Sequence, residues 1–152
     1  MPSCFFVGHR DAGNELLARI QAAVENLILR EGVTDFYVGH RGNFDRMAGA
    51  SVRKLMETYP QIRLYLVLAY LPPIGEELSE GFTGSVFPEG LESVPRRFAI
   101  LRANRAMVDI CDFLVAYAPH ETGNAWKVLE HARRQERKGL IRIIALQEKD
   151  EK

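Results

Sequence analysis

Short apolar runs alternate along the chain with longer segments in which apolar residues recur at helical spacing. Five such runs predict β-strands, at residues 4–7, 34–38, 62–69, 112–116 and 140–146. Strands that alternate with helices of this length form βαβ units, in which the strands lie parallel in one sheet. The alternation therefore predicts an α/β fold, with a five-stranded, mainly parallel sheet and helices on both of its faces.

The segments between the runs predict four helices. The first contains the apolar residues 16–28 and ends at Gly32, and the second begins near Phe44 or Asp45 and ends before Pro60. The others cover residues 97–109 and 124–138. The proline-rich segment 71–95 is predicted to be a long irregular loop and a candidate lid over a ligand, and the charged tail 147–152 is expected to fray.

The length and composition are those of one globular domain, residues 1–152, with no linker inside it. Lys and Arg together number 20, as do Asp and Glu, so any anion site must be local, and the balance argues against nucleic acid as a partner. Cys4 and Cys111 are expected to be reduced core thiols. Because no signal peptide and no apolar run of about 18 residues is present, we expect a cytoplasmic protein without a membrane partner.

Nearly the same six residues occur twice, as FFVGHR at 5–10 and FYVGHR at 36–41. Each copy is a predicted strand that ends in Gly-His-Arg. Ligands of open parallel sheets bind beyond the carboxyl ends of the strands, and consecutive strands of a βαβ unit are usually neighbours. Glycine lets the backbone approach a ligand, and arginine offers fork-shaped donors for phosphate or carboxylate. We therefore predict that the two copies form two walls of one anion-binding crevice.

Two further turns and an arginine cluster are predicted near the same edge. The stretch 39–45 is a glycine-containing turn into a helix, and 118–124 is another, so each has backbone amides suited to an anion. Arg102 and Arg105 lie three apart on one face of the predicted helix 97–109. Simpler interpretations stay open: turns with solvated arginines, helix capping by Thr122 or Asn124, and a basic surface helix.

The resulting candidate site has sixteen residues, for binding a nucleotide or related phosphate. They are Gly8, His9, Arg10, Gly39, Arg41, Gly42, Asn43, Asp45, Arg102, Asn104, Arg105, His120, Glu121, Thr122, Gly123 and Asn124. Glu121 and Asp45 are also the candidates for a catalytic general base. No residue spacing predicts a metal site, although Mg²⁺ carried by a nucleotide needs few protein ligands.

These motifs, in this order, resemble those of the SLOG superfamily, a Rossmann-like group that includes DprA and the LOG enzymes. The resemblance covers about residues 3–146 and is nearest to the small YpsA-type SLOG proteins. It depends on Gly8-His9-Arg10, on the glycines and Asp45 of the 39–48 segment, on Arg102-x-Asn104-Arg105, and on Gly123. It implies the strand order 3-2-1-4-5 and a nucleotide or related phosphate ligand at the strand ends.

One feature of the LOG phosphoribohydrolases is not matched. Their Pro-Gly-Gly-x-Gly-Thr turn and the catalytic glutamate after it correspond here to residues 119–127. Only one of the glycines, Gly123, is kept, and Trp126 and Lys127 are found where acidic residues would be expected. The sequence therefore predicts nucleotide binding in a regulatory or sensing role. The alternatives are a hydrolase that cleaves an N-ribosidic or phosphoester bond and, third, a single-strand DNA-binding protein. A homodimer is expected only because many small α/β domains pair through helices.

Overall fold

The computed structural model describes residues 2–70 and 81–147. The strands are β1 (Ser3–Gly8), β2 (Asp35–Val38), β3 (Arg63–Val67), β4 (Gly84–Val86), β5 (Phe113–Tyr117) and β6 (Arg142–Ala145). The helices are α1 (Leu17–Glu31), α2 (Asn43–Met56), α3 (Arg96–Ile110) and α4 (Gly123–Arg137), with one 3-10 turn at Asn14–Leu16 before α1.

All paired strands run parallel in one sheet of order β4-β3-β2-β1-β5-β6. The predicted α/β class, the five predicted strands and their order are confirmed. The predicted strand count is wrong by one, because β4 lies in the segment predicted to be an irregular loop. Three residues that include a glycine are too few to form a recognisable apolar run. Residues 71–80 of the predicted loop and the tail after Gln147 lie outside the described residues.

The helices form layers on both faces of the sheet. Apolar residues of α1 and α2 pack on one face with Phe6, Phe36 and Leu64, whereas those of α3 and α4 pack on the other with Phe5 and Leu114. This is the predicted three-layer arrangement. The helix ends differ slightly from the prediction, since α2 begins at Asn43, just after Gly42 with φ +98°, and ends at Met56.

Side-chain capping of α4 by Thr122, one of the interpretations that the sequence left open, is wrong. Thr122 is the N-cap residue, but within the described residues its side chain makes no capping hydrogen bond. Gly123 follows with φ +88°, so the chain enters the helix through a left-handed glycine rather than through a side-chain cap. The backbone amides of the first turn of α4 therefore keep their donor capacity.

Both cysteines are buried thiols, as predicted. Burial raises the pKa of Cys111 to about 12 and holds that of Cys4 well above its usual value, so neither forms a thiolate readily. Among the helices that the structure describes, none has the length and apolar character required to span a membrane.

Candidate functional site

A cleft of about 360 Å³ opens at the carboxyl edge of the sheet, where α3 and the start of α4 lie over the ends of β1, β2 and β3. From β1 the chain builds outward through β2, β3 and β4 and then returns to the other side of β1 with β5 and β6. The strand order thus reverses between β1 and β5, which is the position where open α/β sheets bind their ligands.

The two Gly-His-Arg segments meet at this cleft. Gly8, His9 and Arg10 line it after β1, and the segment 39–41 lines it after β2. The reason is topological, because β1 and β2 are paired neighbours whose carboxyl ends lie at the same edge. Arg10 is exposed and Arg41 is half-buried. The duplicated motif therefore places two guanidinium groups around one opening.

Two glycines of the motif are required by packing rather than by a ligand. A Cβ at Gly8 would lie 2.2 Å from Cγ of Phe44, so only glycine lets that ring pack beneath the end of β1. A Cβ at Gly42 would lie 2.5 Å from Cα of Arg10, and its φ of +98° independently favours glycine. Close contact between the two turns thus explains both positions.

A hydrogen-bond network fastens the two turns to each other. The Asn43 backbone N–H donates to the Arg10 carbonyl at 2.8 Å, and Nδ2 of Asn43 donates to the Ala12 carbonyl at 2.6 Å and to Oδ1 of Asn14 at 2.9 Å. Arg46 donates from Nε to Oδ1 of Asn43 at 2.8 Å and from Nη2 to Oδ1 of Asn14 at 3.0 Å. The Asn43 side chain therefore positions the walls of the cleft and does not line it.

Asp45 is a half-buried carboxyl group on the cleft lining. Its Oδ2 accepts a hydrogen bond of 2.9 Å from the Arg41 backbone N–H, and a Cβ at Gly39 would come within 3.0 Å of the same oxygen. Burial raises the pKa of Asp45 from 3.8 to about 7, although the Arg41 hydrogen bond and charge act in the opposite direction. This carboxyl group consequently exchanges its proton near neutral pH.

The rings of His9 and His120 meet edge to face beside the cleft, with centroids 5.3 Å apart. Nδ1 of His9 accepts a hydrogen bond of 3.2 Å from the Asp11 backbone N–H. A neutral His9 thus carries its proton on Nε2, where it is a donor. His9 lines the cleft, whereas His120 is exposed and lies outside the lining.

Arg41 also contacts a tyrosine ring that lies outside the cleft lining and that a second arginine contacts as well. Cζ of Arg41 lies 4.7 Å from the centre of the Tyr70 ring, and Cζ of Arg96 lies 4.4 Å from it. Arg96 is the first residue of α3 and Tyr70 follows β3, so this cluster joins three separate parts of the chain. Such contacts hold guanidinium groups in place without neutralising their charge.

The start of α4 closes the opposite side of the cleft. Residues 122–124 line it, so the N-terminal amides of a fifteen-residue helix face the cleft beside the end of β1. Amides and helix dipole both favour an anion at such a position. Asn104 of α3 adds an amide side chain to the lining.

The structure brings ten of the sixteen predicted residues onto the cleft lining: Gly8, His9, Arg10, Gly39, Arg41, Asp45, Asn104, Thr122, Gly123 and Asn124. The other six, Gly42, Asn43, Arg102, Arg105, His120 and Glu121, are not part of that lining. Gly42 and Asn43 support the walls, and His120 touches His9. Arg102 and Glu121 are exposed, and Arg105 is half-buried.

Sequence reasoning did not find the apolar floor of the cleft. This floor consists of the apolar residues of the lining, which are Phe6, Val7, Val67, Ala69, Ile100, Ala103 and Ala125. Residues of this kind at strand ends have the same pattern as ordinary core residues, so no sequence signal distinguished them. His40 also lines the cleft, and the pairing of Tyr70 with Arg96 depends on tertiary structure.

Within residues 2–70 and 81–147, no group of three or more His, Cys, Asp or Glu side chains has a metal-binding arrangement. Comparison with known proteins adds no assignment, since no family model and no curated protein matches this chain. Fold and cleft define the class that can be stated: a three-layer α/β domain with a polar-rimmed, apolar-floored cleft at the switch point of its sheet. The SLOG resemblance stays a prediction.

Proposed function

We propose that the cleft binds a nucleotide or a nucleotide-derived phosphate ligand and that the protein acts as a regulatory or sensing domain of the SLOG type. The observation that carries the proposal is the convergence of both Gly-His-Arg segments and the amide end of α4 on one cleft. These segments lie far apart in the chain, and each contributes hydrogen-bond donors suited to an anion.

The charges around the cleft support an anionic ligand. Among the residues that the structure describes, neither Arg10 nor Arg41 forms a salt bridge with a carboxylate. Asp45, the carboxyl group beside Arg41, titrates near neutral pH because of its burial, so at that pH it neutralises the arginine only in part. The rim thus keeps positive charge for a ligand although the whole chain has a formal net charge of zero.

The apolar residues of the lining support a ligand that has an apolar part as well as a phosphate. In our proposal the phosphate binds Arg10 and the amides at Gly123, and the base lies on the floor made by Val67, Ala69 and Ile100. Asn104 and Asp45 provide hydrogen bonds to a base or sugar. A volume of about 360 Å³ is at the lower end of the usual range for small-molecule sites, roughly 300–1,000 Å³.

Calorimetric titration with a panel of nucleoside monophosphates and diphosphates tests this proposal. We expect at least one to bind and Arg10→Met to weaken that binding by about tenfold, the usual effect of losing a charged hydrogen bond. Arg30→Met is the matched control, because Arg30 is an exposed arginine in the last turn of α1 and is not part of the cleft. Failure of every nucleotide to bind, or equal losses in both variants, would refute the proposal.

A second candidate function, cleavage of an N-ribosidic or phosphoester bond, is favoured by one observation. The pKa of about 7 for Asp45 is suited to a general base, which must be unprotonated before reaction and accept a proton during it. In this alternative, Asp45 takes a proton from a water molecule that attacks the bond. The other candidate base, Glu121, is exposed and lies outside the cleft lining.

Incubation of the bound nucleotide with the protein, with assays for free base, ribose phosphate and inorganic phosphate, separates binder from hydrolase. If the protein is a hydrolase, Asp45→Asn abolishes turnover but retains binding, because the amide keeps the shape and the acceptor oxygen. Glu121→Gln is the parallel variant for the other candidate. Absence of all three products with wild-type protein leaves nucleotide binding as the function.

A further inference from the structure

Arg41 and Arg96 form, with Tyr70, a cluster distinct from the Arg10 side of the cleft. Their guanidinium carbons lie 4.7 and 4.4 Å from the same ring centre and therefore within about 9 Å of each other. A guanidinium group that contacts a ring through its face keeps its N–H donors in its own plane. Tyr70 thus contacts two positively charged forks, of which Arg41 lines the cleft and Arg96 lies beside it.

Neither arginine of this pair takes part in a salt bridge within the part of the chain that the structure describes. Asp45 is the acidic group that faces Arg41, and its charge is incomplete at neutral pH. Like charges at this separation repel one another unless an anion lies nearby. An anion that contacts both forks would remove the repulsion.

The cluster lies on another part of the rim from the phosphate site in our proposed function. Arg10 follows β1 and the amides at Gly123 follow β5, whereas Tyr70 follows β3 and Arg96 begins α3. In the sheet, β2 alone separates β3 from β1. Arg41 lines the cleft between the two positions.

On the basis of the proposed function, we infer that the ligand carries two linked phosphate groups rather than one. One phosphate binds Arg10 and the first amides of α4, and the second binds Arg41 and Arg96 on the Tyr70 ring. The cleft is therefore expected to bind nucleoside diphosphates or dinucleotides in preference to nucleoside monophosphates. Arg96 is the residue that recognises the second phosphate.

Calorimetric titrations at constant ionic strength with inorganic phosphate, pyrophosphate, AMP and ADP test this inference. For the wild-type protein we expect pyrophosphate to bind more tightly than phosphate, and ADP more tightly than AMP, each by about tenfold. Arg96→Met should lower the affinities for pyrophosphate and ADP by about tenfold and so remove that preference.

Arg97→Met is the control for general charge. Arg97 is the exposed neighbour of Arg96 on the same helix, and its guanidinium carbon lies 4.8 Å from the centre of the Phe98 ring instead of the Tyr70 ring. The variant removes the same charge, and we expect it to keep the preference. Circular dichroism and thermal unfolding check that both variants are folded.

The outcomes separate this inference from the proposed function. Equal affinity for phosphate and pyrophosphate and for AMP and ADP overturns the second phosphate site but leaves nucleotide binding intact. The same holds if Arg96→Met and Arg97→Met lower the affinities equally. If none of the four probes and no nucleotide of the wider panel binds, both proposals fail.

Discussion

At the scale of single residues, Asp45 is the group whose surroundings change its chemistry most. Burial raises its pKa from 3.8 to about 7 in the folded protein. The folded chain therefore keeps this proton at pH values where the unfolded chain has released it. The protonated carboxyl group stabilises the folded protein fully at pH values below the pKa of Asp45 in the unfolded chain. This stabilisation is lost as the pH rises to the pKa of Asp45 in the folded protein.

We expect Asp45→Asn to be more stable than wild type at about pH 8, by on the order of 3 kcal/mol, and nearly equal to it below about pH 4. The amide cannot ionise, so it avoids the cost of a buried charge, and it still accepts the Arg41 hydrogen bond. Free energies of unfolding from denaturant titrations at several pH values measure the difference.

Asp11→Asn is the control, because it makes the same change of side chain at an exposed aspartate. Its stability should follow that of wild type with pH. Parallel stability curves for wild type and Asp45→Asn would show that the folded protein does not hold the Asp45 proton near neutral pH.

The sequence predicted where the cleft lies better than it predicted what each residue around the cleft does. Gly8 and Asn43 were expected to contact a ligand, but Gly8 is a glycine because of the Phe44 ring, and the Asn43 amide bonds with Ala12 and Asn14. A turn that approaches a ligand and one that approaches another turn both use glycine and asparagine. Tertiary packing decides between them.

At the scale of elements, β4, the strand that the sequence did not predict, depends on a side chain as well as on backbone pairing. The Thr83 backbone N–H donates to the Leu64 carbonyl at 2.7 Å, and the Leu64 N–H donates to Oγ1 of Thr83 at 3.0 Å. The hydroxyl thus takes the place of a backbone acceptor just before β4. The edge strand is attached to β3 through this threonine.

We expect Thr83→Val to destabilise the fold by about 1 kcal/mol, because the N–H of the buried Leu64 loses its acceptor. Thr34→Val is the matched control. Oγ1 of Thr34 is buried with no hydrogen-bond partner in the described structure, so a methyl group there costs nothing or stabilises. Denaturant unfolding of both variants measures the difference, and equal losses would contradict this account of β4.

Element prediction succeeded where the apolar pattern was long. The five predicted strands and four predicted helices are all present, because buried parallel strands are nearly all apolar and amphipathic helices repeat their apolar residues. The strand Gly84–Val86 was missed since it has half-exposed and exposed residues only. Its strand character comes from pairing with β3 and not from its own sequence.

At the scale of the whole molecule, strand order explains why distant residues form one site. The order β3-β2-β1-β5 places the turns after residues 8, 38 and 117 side by side at one edge. The sequence was sufficient to predict this edge, because parallel βαβ units and duplicated turns follow from local patterns. The apolar floor and the Tyr70 cluster were not predictable, since they require the packing of α3 on the sheet.

Two predictions about the partners of the whole molecule remain predictions. A homodimer is a prediction from fold class alone. The charge balance of 20 basic and 20 acidic residues still predicts that single-strand DNA binds poorly, since such proteins use basic grooves.

The bond of 2.8 Å between the Asn43 N–H and the Arg10 carbonyl has a further consequence for recognition. It joins the turn after β1 to the turn that leads into α2, and Arg46 supports this contact through its hydrogen bonds to Asn43 and Asn14. A ligand that enters between these turns meets a binding surface that is already formed, so the turns lose little conformational entropy on binding. On this side of the cleft, selectivity between ligands consequently depends on how well each ligand fits the preformed turns and not on movement of those turns.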